Sequence, residues 1–340
     1  MSGLRYFASA LILAAVVAGC GGAADTKDAP KAASSGGAKL ALVAYSTPQV
    51  VYDEVIPAFA RTAAGRGVSF SQSYGASGDQ SRAVEAGQHA DIVAFSLAPD
   101  VNRLVKSGLV ADDWASTPTK GMVSNSVVVL MVRKGNPKGI HGWADLLKPG
   151  VSVLTPNPFT SGGAKWNLMG AYGAQLKLGR SPEQATAYIR ELLTKHVKVQ
   201  DKSGRESVQN FLGGNGDVCI SYENEAITAQ QKGADVDYVI PDQTLLIENP
   251  IAVTSDAKPQ AKAFVDFARS APAQEIFAKH GYRPVLQDVL QEHAKEFPQP
   301  KQLFTIDSLG GWTKVNDAFF DPDKGSVAKI EGDAGVSTDK

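Results

Sequence analysis

The chain is predicted to be an α/β protein whose helices cover largely parallel sheets, folded as two lobes with a cleft between them. Two observations predict it. From Leu40 onward strand-like and helix-like runs alternate, the pattern of a sheet covered by helices. Two successive sets of such runs have similar size, and at 340 residues the chain is long enough to give each set its own core.

The elements follow from local patterns, read in order. LALVAY (40–45) is an apolar strand run, followed by a helix through VVYDEVIPAFARTA (50–63), where Pro57 lacks an N–H and predicts a kink. VSFSQSY (68–74) is a strand, a helix starts at Gln80, and DIVAF (91–95) closes the first set. The second set holds NSVVVLMVRK (125–134), GWADLL (142–147), VSVLT (151–155), a helix after Gly163, the amphipathic PEQATAYIRELLTKH (182–196), a short helix from Glu206 and GDVCISY (216–222). VDYVI (236–240) and PIAVTS (250–255) precede two helical runs, AKAFVDFARS and AQEIFAKH, and the chain closes with LFTIDSLGGWTKV (303–315). No internal sequence repeat is visible, and the last ten residues, EGDAGVSTDK, read as a frayed tail over 331–340.

Four loop-to-helix junctions share one chemistry. The segment TPNPFTSGGAKWN (155–167) ends a strand run with a hydroxyl, two glycines and a helix start. N–H groups in a first helical turn have no intrahelical partner and carry partial positive charge, so such a start suits an anion. Ser161 adds a hydroxyl donor, and Gly162 and Gly163 let the main chain approach a ligand. Ser46-Thr47-Pro48-Gln49, Ser77-Gly78-Asp79-Gln80 and Ser203-Gly204-Arg205-Glu206 have the S-x-x-E/Q spacing of a capping box. Each follows a strand run, so the helix starts are expected at the carboxyl edge of the sheet, where open α/β folds bind ligands.

Other chemistries find less support. Lys and Arg total 34 against 35 Asp and Glu, and no basic cluster is interleaved with aromatics, which argues against nucleic acid as a partner. His89, His141, His196, His280 and His293 show no H-x-x-x-H spacing and there is no C-x-x-C, so no metal site and no cofactor are expected. YGASGD is not the G-x-S-x-G elbow of a serine nucleophile, and the histidines lie far in sequence from these loops, read as surface or cap residues. Glu223 and Glu225 are read as anchoring a helix start and a hinge, without acid–base work. The chain is expected not to be an enzyme.

The N-terminus reads as an export signal. Arg5 precedes an apolar run from Tyr6 to Val17, too short to span a bilayer, and the run ends in Val17-Ala18-Gly19-Cys20, which resembles the bacterial lipobox. That resemblance implies lipidation of Cys20 after removal of residues 1–19, with Gly21–Gly37 as a small, polar tether. The mature chain then anchors to the outer face of the cell membrane, at the cell surface or in the periplasm, and touches the bilayer through Cys20 alone. Only Cys219 remains besides Cys20, so no internal disulfide is available, and its alternating strand context predicts a buried thiol.

YSTPQVVYDEVIPAF, YGASGDQSRAVEAGQHADIV, MVRKGNPKGIHGWADLLKPGVSVLTPNPFTSGGAKWN, GDVCISYENEA and LFTIDSLGGWTK together resemble the sulfate-binding proteins of bacterial sulfate/thiosulfate ABC importers, over about Leu40 to Phe320. The resemblance implies a two-lobed periplasmic-binding-protein fold of type II. It places ligand contacts at Ser46, Ser77, Ser161, Gly162, Gly163 and Gly204, mainly through main-chain N–H groups, with Tyr222 where the family has a tryptophan whose indole N–H reaches the anion. Ser46 stands where the family commonly has Asp. Arg205 is expected to stiffen or polarise its loop from behind, and Asp79 to point outward along the helix dipole. Expected boundaries are a signal peptide over 1–19, a tether over 20–38, lobe I over 39–124 and 245–300, and lobe II over 125–244. A segment over 301–330 is expected to pack across both lobes.

A site that offers donors only satisfies sulfate, a dianion without a proton, whereas a protonated phosphate leaves one O–H without an acceptor. About seven charge-assisted bonds at roughly 1.5–3 kcal/mol each supply on the order of 10–20 kcal/mol before desolvation and closure are subtracted. The expected function is capture of sulfate by a monomeric receptor that delivers it to an ABC permease. Thiosulfate, molybdate or phosphate are the same-class alternatives, and a surface hydrolase of sulfated or phosphorylated small molecules is the different-class one.

Overall fold

The computed structural model describes residues 37–338. The signal segment, Cys20 and nearly all of the tether lie outside the described residues. Ten strands make one sheet: β1 (Lys39–Tyr45), β2 (Ser69–Gly75), β3 (Ile92–Ala94), β4 (Met122–Arg133), β5 (Val153–Leu154), β6 (Val197–Val199), β7 (Val218–Tyr222), β8 (Val236–Val239), β9 (Gln243–Val253) and β10 (Gln302–Phe304). Its central path runs β2-β1-β3-β9-β4-β7-β5-β6.

This order contains one arrangement twice. β1 pairs in parallel with β2 and β3, and β3 is closed by the antiparallel β9. In the second half β5 pairs in parallel with β6 and β7, and β7 is closed by the antiparallel β4. The repeat is topological and has no counterpart in the residues. β4 and β9 connect the halves: Met122–Val127 of β4 pair with β9, while Val128–Arg133 continue the ladder on β7 and β8.

The helices are α1 (Gln49–Ala60), α2 (Ser77–Glu85), α3 (Ala98–Lys106), α4 (Gly162–Lys177), α5 (Pro182–Glu191), α6 (Gly204–Leu212), α7 (Glu223–Gln231), α8 (Pro259–Ala268), α9 (Ala271–Lys279), α10 (Gln287–Glu292), α11 (Gly311–Val315) and α12 (Ser326–Asp333). Side-chain alternation sends opposite faces of each strand to different cores. Leu40, Leu42 and Ala44 of β1 pack on Tyr52, Phe59, Phe264 and Phe277, whereas Val43 joins Val93, Phe95 and Leu104 on the other face. Along β4, Val128, Leu130 and Val132 face Trp166 and Ile220, while Val127, Val129 and Met131 face Phe211 and Cys219.

Several local expectations change. α1 contains Pro57 and ends at Ala60, three residues before the expected end at Ala63. α2 begins at Ser77, three residues before Gln80, and α6 at Gly204 instead of Glu206. The run 182–196 ends as an α-helix at Glu191 and widens into a π turn over Leu192–His196. GWADLL forms a 3-10 turn, Trp143–Leu147. The tail expected to fray from Glu331 is helical to Asp333, with Glu331 fully buried. Burial of Val327, Ala328 and Ile330 in the same core as Phe304 and Phe320 explains that order. His196, expected at the surface or as a cap, closes the π turn and is 8% exposed, with Nδ1 3.1 Å from the Val151 carbonyl.

Candidate functional site

The carboxyl ends of the six strands β1, β2, β3, β5, β6 and β7 lead to one small cavity. Ser46 follows β1, Ser77 follows β2, and Ser96 follows β3; Ser161 follows β5, Gly204 follows β6, and Tyr222 ends β7. All six line the cavity, with Tyr45, Gly163 and Asn167 between them. The enclosed space is very small, about 20 Å³, little more than one water molecule requires. Among the described residues no Lys, Arg or His lines it, and none of the cavity serines is more than 9% exposed.

The helix starts differ from one another. Ser161 and Ser203 are N-caps, accepting from Ala164 N at 3.4 Å and Glu206 N at 3.3 Å. The boxes expected at Ser46 and Ser77 do not form, because Pro48 caps α1 and Ala76 caps α2 without side-chain bonds. Ser77 instead occupies the first turn of α2, where its hydroxyl donates to Asp100 Oδ2 at 2.6 Å and accepts from Ser96 N at 2.9 Å. That leaves its main-chain N–H as the donor at a helix start. Burial raises the Asp100 carboxyl above its ordinary value, opposed first by Lys165 and then by the Ser77 hydroxyl.

Gly162 is not part of the cavity wall. A Cβ built on it would lie 2.5 Å from Leu97 Cδ2 and 2.9 Å from Ser96 Oγ, so this glycine permits α4 to pack against the β3–α3 loop. Gly163 does face the cavity: its Cβ would lie 3.3 Å from Ser161 Oγ and 3.7 Å from Tyr222 Oη. Tyr222 is buried, and desolvation holds its phenol protonated by raising its pKa far above the ordinary value. Its hydroxyl lies 2.7 Å from Ser96 Oγ.

The surroundings tie the halves together. Arg205 stands outside the cavity and donates from Nη2 to the Thr47 carbonyl at 2.9 Å. Gly78 N donates to Thr160 O at 3.1 Å, and Trp166 Nε1 to Ser96 O at 2.9 Å. Asp79 pairs with Arg82 and, at 3.1 Å, with Lys202, and does not line the cavity. Glu223 is held by Arg283, whereas Glu225 lies on the cavity wall beside Thr47, where burial raises its pKa and Arg205 opposes the rise. Thr47 and Glu225 also line the neighbouring open cleft, so the carboxyl sits at the rim between the two.

Ser96 and Asn167 escaped the sequence reading. Ser96 had a usable signal, since it follows a strand run just as Ser46 and Ser77 do. Asn167 had none, because only folding turns that face of α4 toward Thr155 and Ile220, to which its amide donates at 3.1 and 2.8 Å.

The sequence profile of bacterial extracellular solute-binding proteins matches residues 40–283. The chain is 41% identical to a sulfate-binding protein of Synechococcus elongatus, over 93% of each chain. The chain belongs to the sulfate-binding protein family of bacterial extracellular solute-binding proteins. It is 33% identical to a thiosulfate-binding protein of Pseudomonas aeruginosa, with 82% of this chain and 88% of that one covered. Among solved structures, the sulfate-binding protein SubI from Mycobacterium tuberculosis superposes with a TM-score of 0.81 at 46% identity, covering 84% of this chain and all of that one. The fold of this family member is therefore that of the periplasmic binding proteins, a mixed sheet flanked by helices.

Proposed function

We propose that this solute-binding protein captures sulfate between two hinged lobes and delivers it to an ABC importer in the membrane. The observation that carries the reading is the convergence of uncharged donors on a cavity that, among the described residues, no cationic side chain lines. Helix-start amides and hydroxyls from both halves replace the water around a dianion, each bond strengthened by the ligand's charge.

The contacts are main-chain N–H groups at Ser46, Ser77, Gly163 and Gly204, with hydroxyls from Ser161 and Tyr222. Gly162, in the first turn of α4, contributes its main-chain N–H as well, while the position a Cβ would take is turned toward Leu97. Arg205 acts from behind through Thr47. β4 and β9 are the hinge strands, and the lobe boundaries near residues 124 and 245 fall within them or at their edge. Lipidation at Cys20 anchors the receptor at the outer membrane face, and it works as a monomer without catalytic turnover.

Calorimetric titration with sulfate, thiosulfate, molybdate and phosphate at two pH values tests this. Sulfate is expected to bind at micromolar concentration or below. Release of free sulfate from an added sulfate ester would replace the receptor reading with a hydrolase. Cys20→Ala is expected to release the protein from membranes, and unchanged retention would exclude the anchor.

A further inference from the structure

Five of the six strand ends around the cavity carry residues used by the sulfate reading; the sixth, after β3, carries Ser96. Ser96 is 1% exposed, and its backbone is held from three sides. Its N–H donates to Ser77 Oγ at 2.9 Å, and its carbonyl accepts from Trp166 Nε1 at 2.9 Å and Asn249 Nδ2 at 2.8 Å. Those partners come from α2, α4 and β9, so both halves contribute to placing the one hydroxyl.

Ser96 Oγ and Tyr222 Oη are 2.7 Å apart, and either atom can donate to the other. Two hydroxyls in contact carry two hydrogens, and the bond between them uses one. The remaining hydrogen needs a further acceptor. The Asn249 amide nitrogen beside this pair is itself a donor and takes none. Asn167 Oδ1, buried without a hydrogen-bond partner, and the Glu225 carboxyl also line the cavity as acceptors, and a doubly charged oxyanion bound there is a stronger acceptor than a neutral amide oxygen.

We propose that Ser96 is an anion-binding residue and that Ser96 and Tyr222 act as one reversible donor, delivering a single O–H to bound sulfate from either oxygen. The proposal rests on the sulfate reading and deepens it. Its consequence is redundancy. If one hydroxyl is removed, the other is released from the mutual bond and donates; if both are removed, the donor is gone.

The test is a double-mutant cycle by calorimetry with sodium sulfate on the wild type, Ser96→Ala, Tyr222→Phe and the double variant, with thermal midpoints recorded without sulfate. Each single change is expected to weaken sulfate less than about 1.5-fold, so that independent effects would reach only about twofold, whereas the double change is expected to cost about tenfold or more, the loss of one charge-assisted bond. Ser96→Ala/Tyr222→Trp, which restores one fixed N–H donor, is expected to recover most of that affinity; this arm also separates a lost donor from a damaged fold. Single effects that simply add up to the double, or a double variant that binds like the wild type, would overturn the shared donor alone. A wild-type protein that takes up no sulfate would overturn the functional reading and the pair with it.

Discussion

Arg283 grips Glu223 with two parallel hydrogen bonds, Nε to Oε2 at 2.6 Å and Nη2 to Oε1 at 2.9 Å, and both side chains are at most 5% exposed. Glu223 opens α7 directly after Tyr222, and Arg283 pairs its backbone with Asn125 of β4. The pair therefore fastens the end of β7 to the strand that connects the halves. Removing one partner strands a buried charge, so Arg283→Met is expected to cost about 3–5 kcal/mol of stability, read from urea unfolding.

The three glycines near the anion cavity are expected to separate. Gly163→Ala places a methyl group beside Ser161 Oγ inside a very small space, and should lower sulfate affinity about a hundredfold with little loss of stability. Gly204→Ala meets only Thr47 Oγ1, at 4.0 Å, and should stay within about threefold. Gly162→Ala clashes with Leu97 and also with Ser96, so it should cost about 1–3 kcal/mol of stability and weaken sulfate through the displaced Ser96 hydroxyl. Calorimetry and urea titration on the three variants distinguish these outcomes.

Arg205 reaches from α6 to the Thr47 carbonyl between β1 and α1, and so joins the two halves beside the ligand without touching it. Arg205→Met is expected to speed sulfate release about tenfold or more, the worth of one charge-assisted bond, while association changes little. Stopped-flow dissociation measures it, and an unchanged release rate would remove Arg205 from the mechanism.

Glu331 of α12 accepts from Gln200 Nε2 with both oxygens, at 2.9 Å each, on the loop that leads to Ser203 and Gly204. Burial raises its carboxyl above the ordinary value, with the Gln200 amide opposing. A carboxyl raised in the folded state favours folding when protonated: that contribution is complete below the unfolded-state value and is lost as pH climbs through the folded one. Glu331→Gln is therefore expected to be more stable than the wild type at pH about 8, with the gap closing below pH about 4. A gap that is constant with pH in thermal unfolding would exclude this titration.

The strand runs were legible because alternation and β-branching act locally: LALVAY, VSFSQSY and GDVCISY became β1, β2 and β7 within a residue or two. β9 was read only from Pro250, although it starts at Gln243. Glu248 and Asn249 interrupt its apolar pattern, and Asn249 is buried because Ser96 and Ser124 supply partners from distant segments. The two glycines that open α4 could not be told apart in the sequence. Gly162 and Gly163 are adjacent and chemically identical, yet one faces the cavity and the other faces Leu97.

The sequence alone determined which short segments end strands and begin helices, and that hydroxyls and glycines sit at those junctions, because such preferences depend on neighbours a few residues away. Tertiary structure decided the rest. The Ser77 hydroxyl is taken by Asp100, Ser96 meets Tyr222 across 126 positions of chain, and β4 and β9 exchange between the halves. Each of these depends on which surfaces become buried against each other, and a residue's hydrogen-bond partner in a buried place is set by whatever the rest of the chain brings there.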